Sequence, residues 1–170
     1  MITVGVVIDV PEPYATRIRE ARRTWDDPDA DAIPPHVTIV APVSVDPEAM
    51  PVLEQHLARA VEGFAPFRMR LRGTGTFRPV SPVVFLAVAE GIPGCEELER
   101  RVRCGPWAVE LRFPYHPHVT VAAELPDSTL DRAFVDLGGF DRSFDVDRVA
   151  LYGLESSGWE RRREYALGPG

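Results

Sequence analysis

Hydrophobic residues recur along this chain with two different periods. Residues 2 to 9 set Ile2, Val4, Val6 and Ile8 against Thr3, Gly5 and Asp9, the two-residue period of a strand with one buried face. In "EPYATRIREARRTWDD" the period lengthens. Tyr14, Ile18, Ala21 and Trp25 fall on one helical stripe, with Arg17, Arg19, Arg22 and Arg23 on the solvated side. "DPDADAIPP" predicts a loop, and "HVTIVAPV", residues 36 to 43, a short β-branched strand. Asp46 followed by Pro47 and Glu48 predicts a helix start, with Met50, Leu53, Leu57 and Val61 as its stripe and His56 beside it on the surface. Residues 67 to 73 alternate again, Phe67, Met69 and Leu71 inward and Arg68, Arg70 and Arg72 outward; "VVFLAVAE", 83 to 90, is a continuous apolar strand.

The second half repeats this mixture. A helix from about Gly94 to Arg103 buries Cys95, Leu98 and Val102, and "WAVELRF", 107 to 113, alternates as a strand. Ser128 with Asp131 resembles a capping box for a helix burying Leu130, Phe134 and Leu137. "FDVDRVALYG" and "WERRREYAL" predict closing strands, the second with Trp159, Tyr165 and Leu167 on one face and Arg161, Arg162 and Arg163 partly solvated. Several strand pairs have no helix between them. The expectation is therefore an α+β protein with mainly antiparallel sheets.

Composition narrows the chemistry. The length of 170 residues favours a single domain over residues 1–170. The N-terminal stretch lacks a basic leader region and no apolar run approaches membrane-spanning length, which predicts no membrane association. Cys95 and Cys104 match neither a zinc spacing nor C-x-x-C, so they read as reduced thiols of a cytoplasmic protein. A net charge of −7 argues against broad affinity for nucleic-acid backbone and leaves room for a small or terminal phosphate. All nineteen basic residues are arginine. Schiff-base chemistry, pyridoxal-phosphate anchoring, Walker-A phosphate binding and lysyl-nucleotidyl transfer are thereby excluded, since each needs a lysine.

One short pattern occurs twice. "IPPHVTIVAPV", residues 33 to 43, overlies "YHPHVTVAAEL", residues 115 to 125, with Pro35 on Pro117, His36 on His118, Val37 on Val119 and Thr38 on Thr120, a constant offset of 82. Two of the four histidines thus occupy equivalent places. In an extended strand residues i and i+2 share a face, so His36 projects with Thr38 and His118 with Thr120, while Val37 and Val119 point into a core. Side by side, two imidazoles and two hydroxyls would suit a tetrahedral phosphate. Threonine hydroxyls donate to non-bridging oxygens, and one histidine acts as base while the other acts as acid near neutral pH. Two other readings stay open at this point: a metal site built from His36, His116 and His118, and a nucleotide-binding module without turnover.

At these residues the chain resembles the 2H phosphoesterase superfamily, named for its two H-x-T/S-x motifs, and within it the bacterial 2′-5′ RNA ligase and RNA 2′,3′-cyclic phosphodiesterase proteins. The resemblance extends over almost the whole chain. It implies a bilobal, pseudo-twofold α+β fold of two mainly antiparallel sheets with outer helices and a central active-site groove. It further implies His36 and His118 as catalytic residues, Thr38 and Thr120 as phosphate-binding residues, and a metal-independent reaction without cofactor. The implied reaction opens 2′,3′-cyclic phosphate ends of RNA or nucleotides to 2′-phosphates, with His118 as base and His36 as acid, and extends to reversible 2′-5′ RNA ligation with a 5′-hydroxyl replacing water. Phe77, Arg78, Tyr115 and Trp159 are candidates to stack on or clamp the nucleotide. RNA termini or small cyclic-phosphate nucleotides are the expected partners, with no obligate protein partner.

Overall fold

The computed structural model describes residues 1–168 and contains eight strands and four α-helices. In chain order these are β1 (Ile2–Asp9), α1 (Tyr14–Thr24), β2 (His36–Val45), α2 (Met50–Val61), β3 (Phe67–Thr76), β4 (Val83–Glu90), α3 (Ile92–Val102), β5 (His118–Ala123), α4 (Asp127–Asp136), β6 (Asp141–Val146), β7 (Arg148–Glu155) and β8 (Gly158–Ala166). All strand pairs are antiparallel, in the order β6-β3-β4-β5-β2-β1-β7-β8. The expected two sheets are therefore joined edge to edge. The join is a single residue pair, Val37 with Val119.

That join explains the duplicated sequence. β2 and β5 are the two innermost strands, each flanked by three of its own, and the motif valines form the seam. Beyond the valines the repeat continues into the backbone. The register between β1 and β2 slips between Val6–Val40 and Val7–Thr38, leaving Ile39 unpaired; that between β4 and β5 slips between Val84–Ala122 and Phe85–Thr120, leaving Val121 unpaired. Ile39 and Val121 are also 82 residues apart. A bulge puts two successive side chains on one face, which is why Ile39 with Val40 and Val121 with Ala122 are all buried.

Only Asp147 separates β6, at one edge of the sheet, from β7, seventh in the order. A flat sheet would hold these strands about 29 Å apart, whereas two residue steps span about 7 Å. The sheet is therefore strongly curled, and the single strand expected over 144–153 is two strands with different neighbours. The helices cover one face. There the side chains of Val4, Val6, Val37, Leu86, Val119 and Leu151 meet Ile18, Leu57, Leu98 and Leu130 in one continuous core. The other face carries Thr38, Thr120 and a small cluster of Val7, Ala150 and Tyr152 packed on by Trp159.

Three local expectations require correction. Residues 107 to 113 form no strand: a short 3-10 turn over Gly105–Trp107 is followed by irregular chain to Pro117. Pro106 and Pro114 bracket the segment, the Trp107 indole donates to the Leu53 carbonyl at 3.1 Å, and the segment packs beside β2 without pairing to a strand. The alternation there is real but serves a cavity wall. In α4 the helix begins at Asp127 with Pro126 before it and no side-chain cap; Asp131 turns outward to Arg78 at 2.9 Å, and Ala133, not Phe134, shares the buried stripe with Leu130 and Leu137. His56 is half-buried, its Nε2 3.2 Å from the carbonyl oxygens of Arg101 and Val102, tying α2 to the end of α3. Of the thiols, Cys95 is buried in the core and Cys104 is exposed.

Candidate functional site

The two motifs enter their strands in the same way. His36 and His118 are the first residues of β2 and β5, each after a proline that has no N–H to compete for a carbonyl. In both, the ring Nδ1 lies within hydrogen-bond distance of the carbonyl oxygen two residues earlier, 2.8 Å to Pro34 and 2.7 Å to His116. A carbonyl can only accept, so Nδ1 carries the proton in each ring and Nε2 of the neutral imidazole keeps its lone pair. Each ring is thus set to take a proton at Nε2, or to deliver one from Nε2 once charged.

Antiparallel continuation of the Val37–Val119 register brings His36 opposite Thr120 and Thr38 opposite His118. The four side chains form a diagonal array across the seam. All four are partly buried, and among the described residues no protein hydrogen bond occupies either threonine hydroxyl. Burial holds both histidines below the ordinary imidazole value. For His36 the Pro34 carbonyl and the Asp9 carboxylate oppose that effect, and Arg22 adds to it; for His118 the His116 carbonyl opposes it, while the His116 and His36 rings add to it. The charge of His36 is felt at His118 across the seam.

A cavity of about 860 Å³ opens from this array, and Thr38, Thr120, His116, His118, Phe77 and Tyr115 reach it. Its outer part is apolar, with Val80, Leu111 and Phe113 as exposed hydrophobic walls. His36 adjoins a second recess of about 480 Å³, to which its neighbours Asp9 and Pro34 contribute with Arg161. The larger volume lies in the upper range of small-molecule sites.

The four substrate-contact candidates divide. Phe77 stands at the site, its ring edge-on to His118 at 5.0 Å between centroids and against Phe85 at 4.5 Å. Tyr115 lines the cavity, but its hydroxyl donates to the Thr38 carbonyl at 2.9 Å, pinning the irregular segment to β2. Arg78 is turned away, held by Asp131 and Asp127. Trp159 packs on the Val7–Ala150–Tyr152 cluster, away from the cavity. Neither of these two lines the cavity. The His116 ring is exposed and stacks among Phe77, Phe85 and His118; among the described residues no group of three His, Cys, Asp or Glu side chains converges as metal ligands would.

Two features escaped the sequence reading. Phe85 lies in an uninterrupted apolar run, where no alternation marks which side chains face the open side; it sits opposite Thr120 and packs on His118 at 5.3 Å. Asp9 reads only as the polar end of a strand. In the fold it is the strand partner of His36 and accepts hydrogen bonds from Tyr152, with Arg161 3.0 Å away.

Comparison with known proteins agrees with this architecture. A family model described as the 2′-5′ RNA ligase superfamily matches residues 10–158. The protein of Geobacillus kaustophilus named "Putative phosphoesterase GK0864" is 28% identical over 167 residues, covering 96% of this chain and 95% of its own length. Among solved structures, Escherichia coli LigT without ligand superposes with a TM-score of 0.69 at 21% identity, covering 98% of this chain and 97% of LigT. LigT in complex with 3′-AMP superposes at 0.66 with 22% identity, each chain covered to 98%.

Proposed function

The chain belongs to the 2′-5′ RNA ligase superfamily, and on that premise we propose that it is a metal-independent phosphodiesterase that opens 2′,3′-cyclic phosphates of nucleotides or RNA termini to 2′-phosphates. The observation that carries this reading is the matched pair of Nδ1–carbonyl bonds, which leaves Nε2 of each ring able to accept or deliver a proton at a seam that also carries the Thr38 and Thr120 hydroxyls. Thr38 and Thr120 donate to the non-bridging oxygens. Nε2 of neutral His118 takes a proton from water as its oxygen bonds to phosphorus, and protonated His36 delivers a proton from Nε2 to O3′ as the P–O3′ bond breaks. The products are a 2′-phosphate and a free 3′-hydroxyl. Run in the same direction with a 5′-hydroxyl in the place of water, the same proton transfers join RNA ends through a 2′-5′ bond, and run backwards they release that end and re-form the cyclic phosphate.

Burial disfavours the charged ring, yet the acid must begin protonated. The bound phosphodiester anion resolves this, since a negative charge at contact distance favours imidazolium. Phe77, in the cavity wall and edge-on to His118, offers a π-face to the base, and the complex of LigT with 3′-AMP supports a nucleotide as ligand. The net charge of −7 and the absence of lysine favour a short or terminal substrate over long RNA. The chain is expected to act in the cytoplasm; among the described residues no helix is long and apolar enough to cross a membrane.

The test is turnover of 2′,3′-cyclic nucleotides, with product analysis reading which hydroxyl keeps the phosphate. Removal of either proton carrier is expected to cost at least about 10²–10⁴-fold in kcat. A folded His36→Ala or His118→Ala variant with wild-type turnover would overturn the reading, as would a 3′-phosphate product.

A further inference from the structure

The scaffold around the histidines is nearly symmetric, yet the reaction is not: at any moment one ring must hold a proton and the other must lack one. The asymmetry has a visible source. The strand partner of His36 is Asp9 on β1, and that of His118 is Ala87 on β4. Residues directly opposed in antiparallel strands project to the same face with Cβ atoms about 5 Å apart. A carboxylate therefore stands beside one imidazole and a methyl group beside the other.

Asp9 is held in place. Tyr152 Oη donates to its two oxygens at 3.1 and 3.3 Å, Arg161 Nη2 lies 3.0 Å from Oδ2, and Arg161 Nε donates to Tyr152 Oη at 3.3 Å. β1, β7 and β8 supply the three members of this network, so the carboxylate is fixed from outside the catalytic strands. Every charged neighbour is identifiable. Glu164 on β8 pairs with Arg161 at 2.8 Å; Arg22 on α1, paired with Asp27 at 2.7 Å, opposes a positive His36; and His118 faces it from β5. Burial raises the Asp9 carboxyl above its ordinary value, while Arg161, Tyr152 and His36 favour its charged form.

Resting on the acid–base reading above, we propose that Asp9, clamped by Tyr152 and Arg161, is the positioning residue that assigns the proton to His36 and so makes His36 the acid and His118 the base. Asp9 does not touch the phosphate. It acts through His36: a fixed negative charge beside that ring stabilises its imidazolium, and with Ala87 at the equivalent place His118 receives no such help. The direction of the pseudo-symmetric site is thereby set by a residue outside both motifs.

The test uses Asp9→Asn and, as a charge-retaining control, Asp9→Glu. Ring titration by NMR in the presence of inorganic phosphate reads each histidine without requiring turnover. Asp9→Asn is expected to lower the His36 titration by about one pH unit and leave that of His118 in place, with Asp9→Glu near wild type. In kinetics the same substitution moves the limb on which activity falls with rising pH to lower pH, because the acid loses its proton earlier. An unchanged His36 titration, or a larger shift at His118, overturns the proposal. Movement of the other kinetic limb, on which activity rises with pH, makes His36 the base and overturns it equally. If no cyclic phosphate is turned over at all, the assigned reaction fails while the ring titrations still decide the role of Asp9.

Discussion

Gly75 provides a sharp test of how the floor of the site is built. It is the strand partner of Phe85, and the Phe85 ring lies over it: a Cβ added at Gly75 would sit 2.5 Å from Cζ and 2.7 Å from Cε2. Carbon atoms settle at about 3.5–4.0 Å, so Gly75→Ala must displace the ring by about 1 Å. The ring is buried and has nowhere free to go, with Phe77 at 4.5 Å, His118 at 5.3 Å and His116 at 5.4 Å between centroids. Overpacking of this kind costs about 1–3 kcal/mol, and a domain of this length loses about 2–4 °C in Tm per kcal/mol. The larger effect falls on His118. A reacting group misplaced by about 1 Å loses on the order of 10²-fold in rate. The assay is kcat on a 2′,3′-cyclic nucleotide, read with a thermal melt to separate lost geometry from lost fold. Adding Phe85→Leu removes the clash, so the double variant is expected to recover part of the Tm and rate lost by Gly75→Ala alone. Wild-type kcat and Tm in Gly75→Ala would refute the reasoning. So would strict additivity of the two substitutions, since residues in contact must couple.

Two further outcomes follow from contacts near the motifs. Tyr115→Phe deletes the bond to the Thr38 carbonyl, for an expected loss of about 1–2 kcal/mol and about 2–8 °C in Tm. A melt within 0.5 °C of wild type would show that the bond contributes nothing. Without ligand, the protein should weaken as pH falls through the histidine range: His36 and His118 are held below the value of about 6.5 that they regain on unfolding, so the unfolded chain binds more protons in that window. Stability therefore drops from about pH 6.5 downward until the folded-state values are passed. The drop in Tm between pH 7.5 and 5.5 should shrink in the His36→Asn/His118→Asn double variant, and an equal drop would remove these residues as its cause.

The parts of the structure that could be read from the chain are those where local spacing and burial coincide. The helix stripe Met50, Leu53, Leu57, Val61 and the half-buried strand around Met69 and Leu71 are visible because one face meets the core and the other meets water. The same holds for His36–Thr38 and His118–Thr120, whose alternation with Val37 and Val119 carries the site's geometry in three residues each. What could not be read depends on neighbours distant in sequence. Phe113 and Leu111 alternate like a strand, but the segment pairs with no strand and, with Thr38–Val43 of β2, lines the cavity instead. Arg78 is as plausible a phosphate clamp as any arginine until Asp127 and Asp131, fifty residues on, are seen to hold it. The break at Asp147 is equally silent locally, because nothing in "FDVDRVALYG" tells that its two halves join opposite regions of a curled sheet.

A duplicated motif explains where two histidines stand but not why they differ. The Val37–Val119 seam, the matched bulges at Ile39 and Val121, and the matched Nδ1 bonds all make the two halves alike. In the proposed reaction, likeness at this level would give a reversible proton relay, since either Nε2 can accept and either can donate. Direction must come from what the repeat does not copy. Two positions answer: the strand partner of the histidine, Asp9 against Ala87, and the residue two before it, Pro34 against His116. Both differences act in the same sense. The carboxylate beside His36 favours a proton there, and the ring of His116 beside His118 opposes one, as the effect of each on its neighbour's titration indicates. His116, for which no metal-ligand companions converge among the described residues, contributes its carbonyl to hold the His118 ring, and in the proposed reaction that ring is the base.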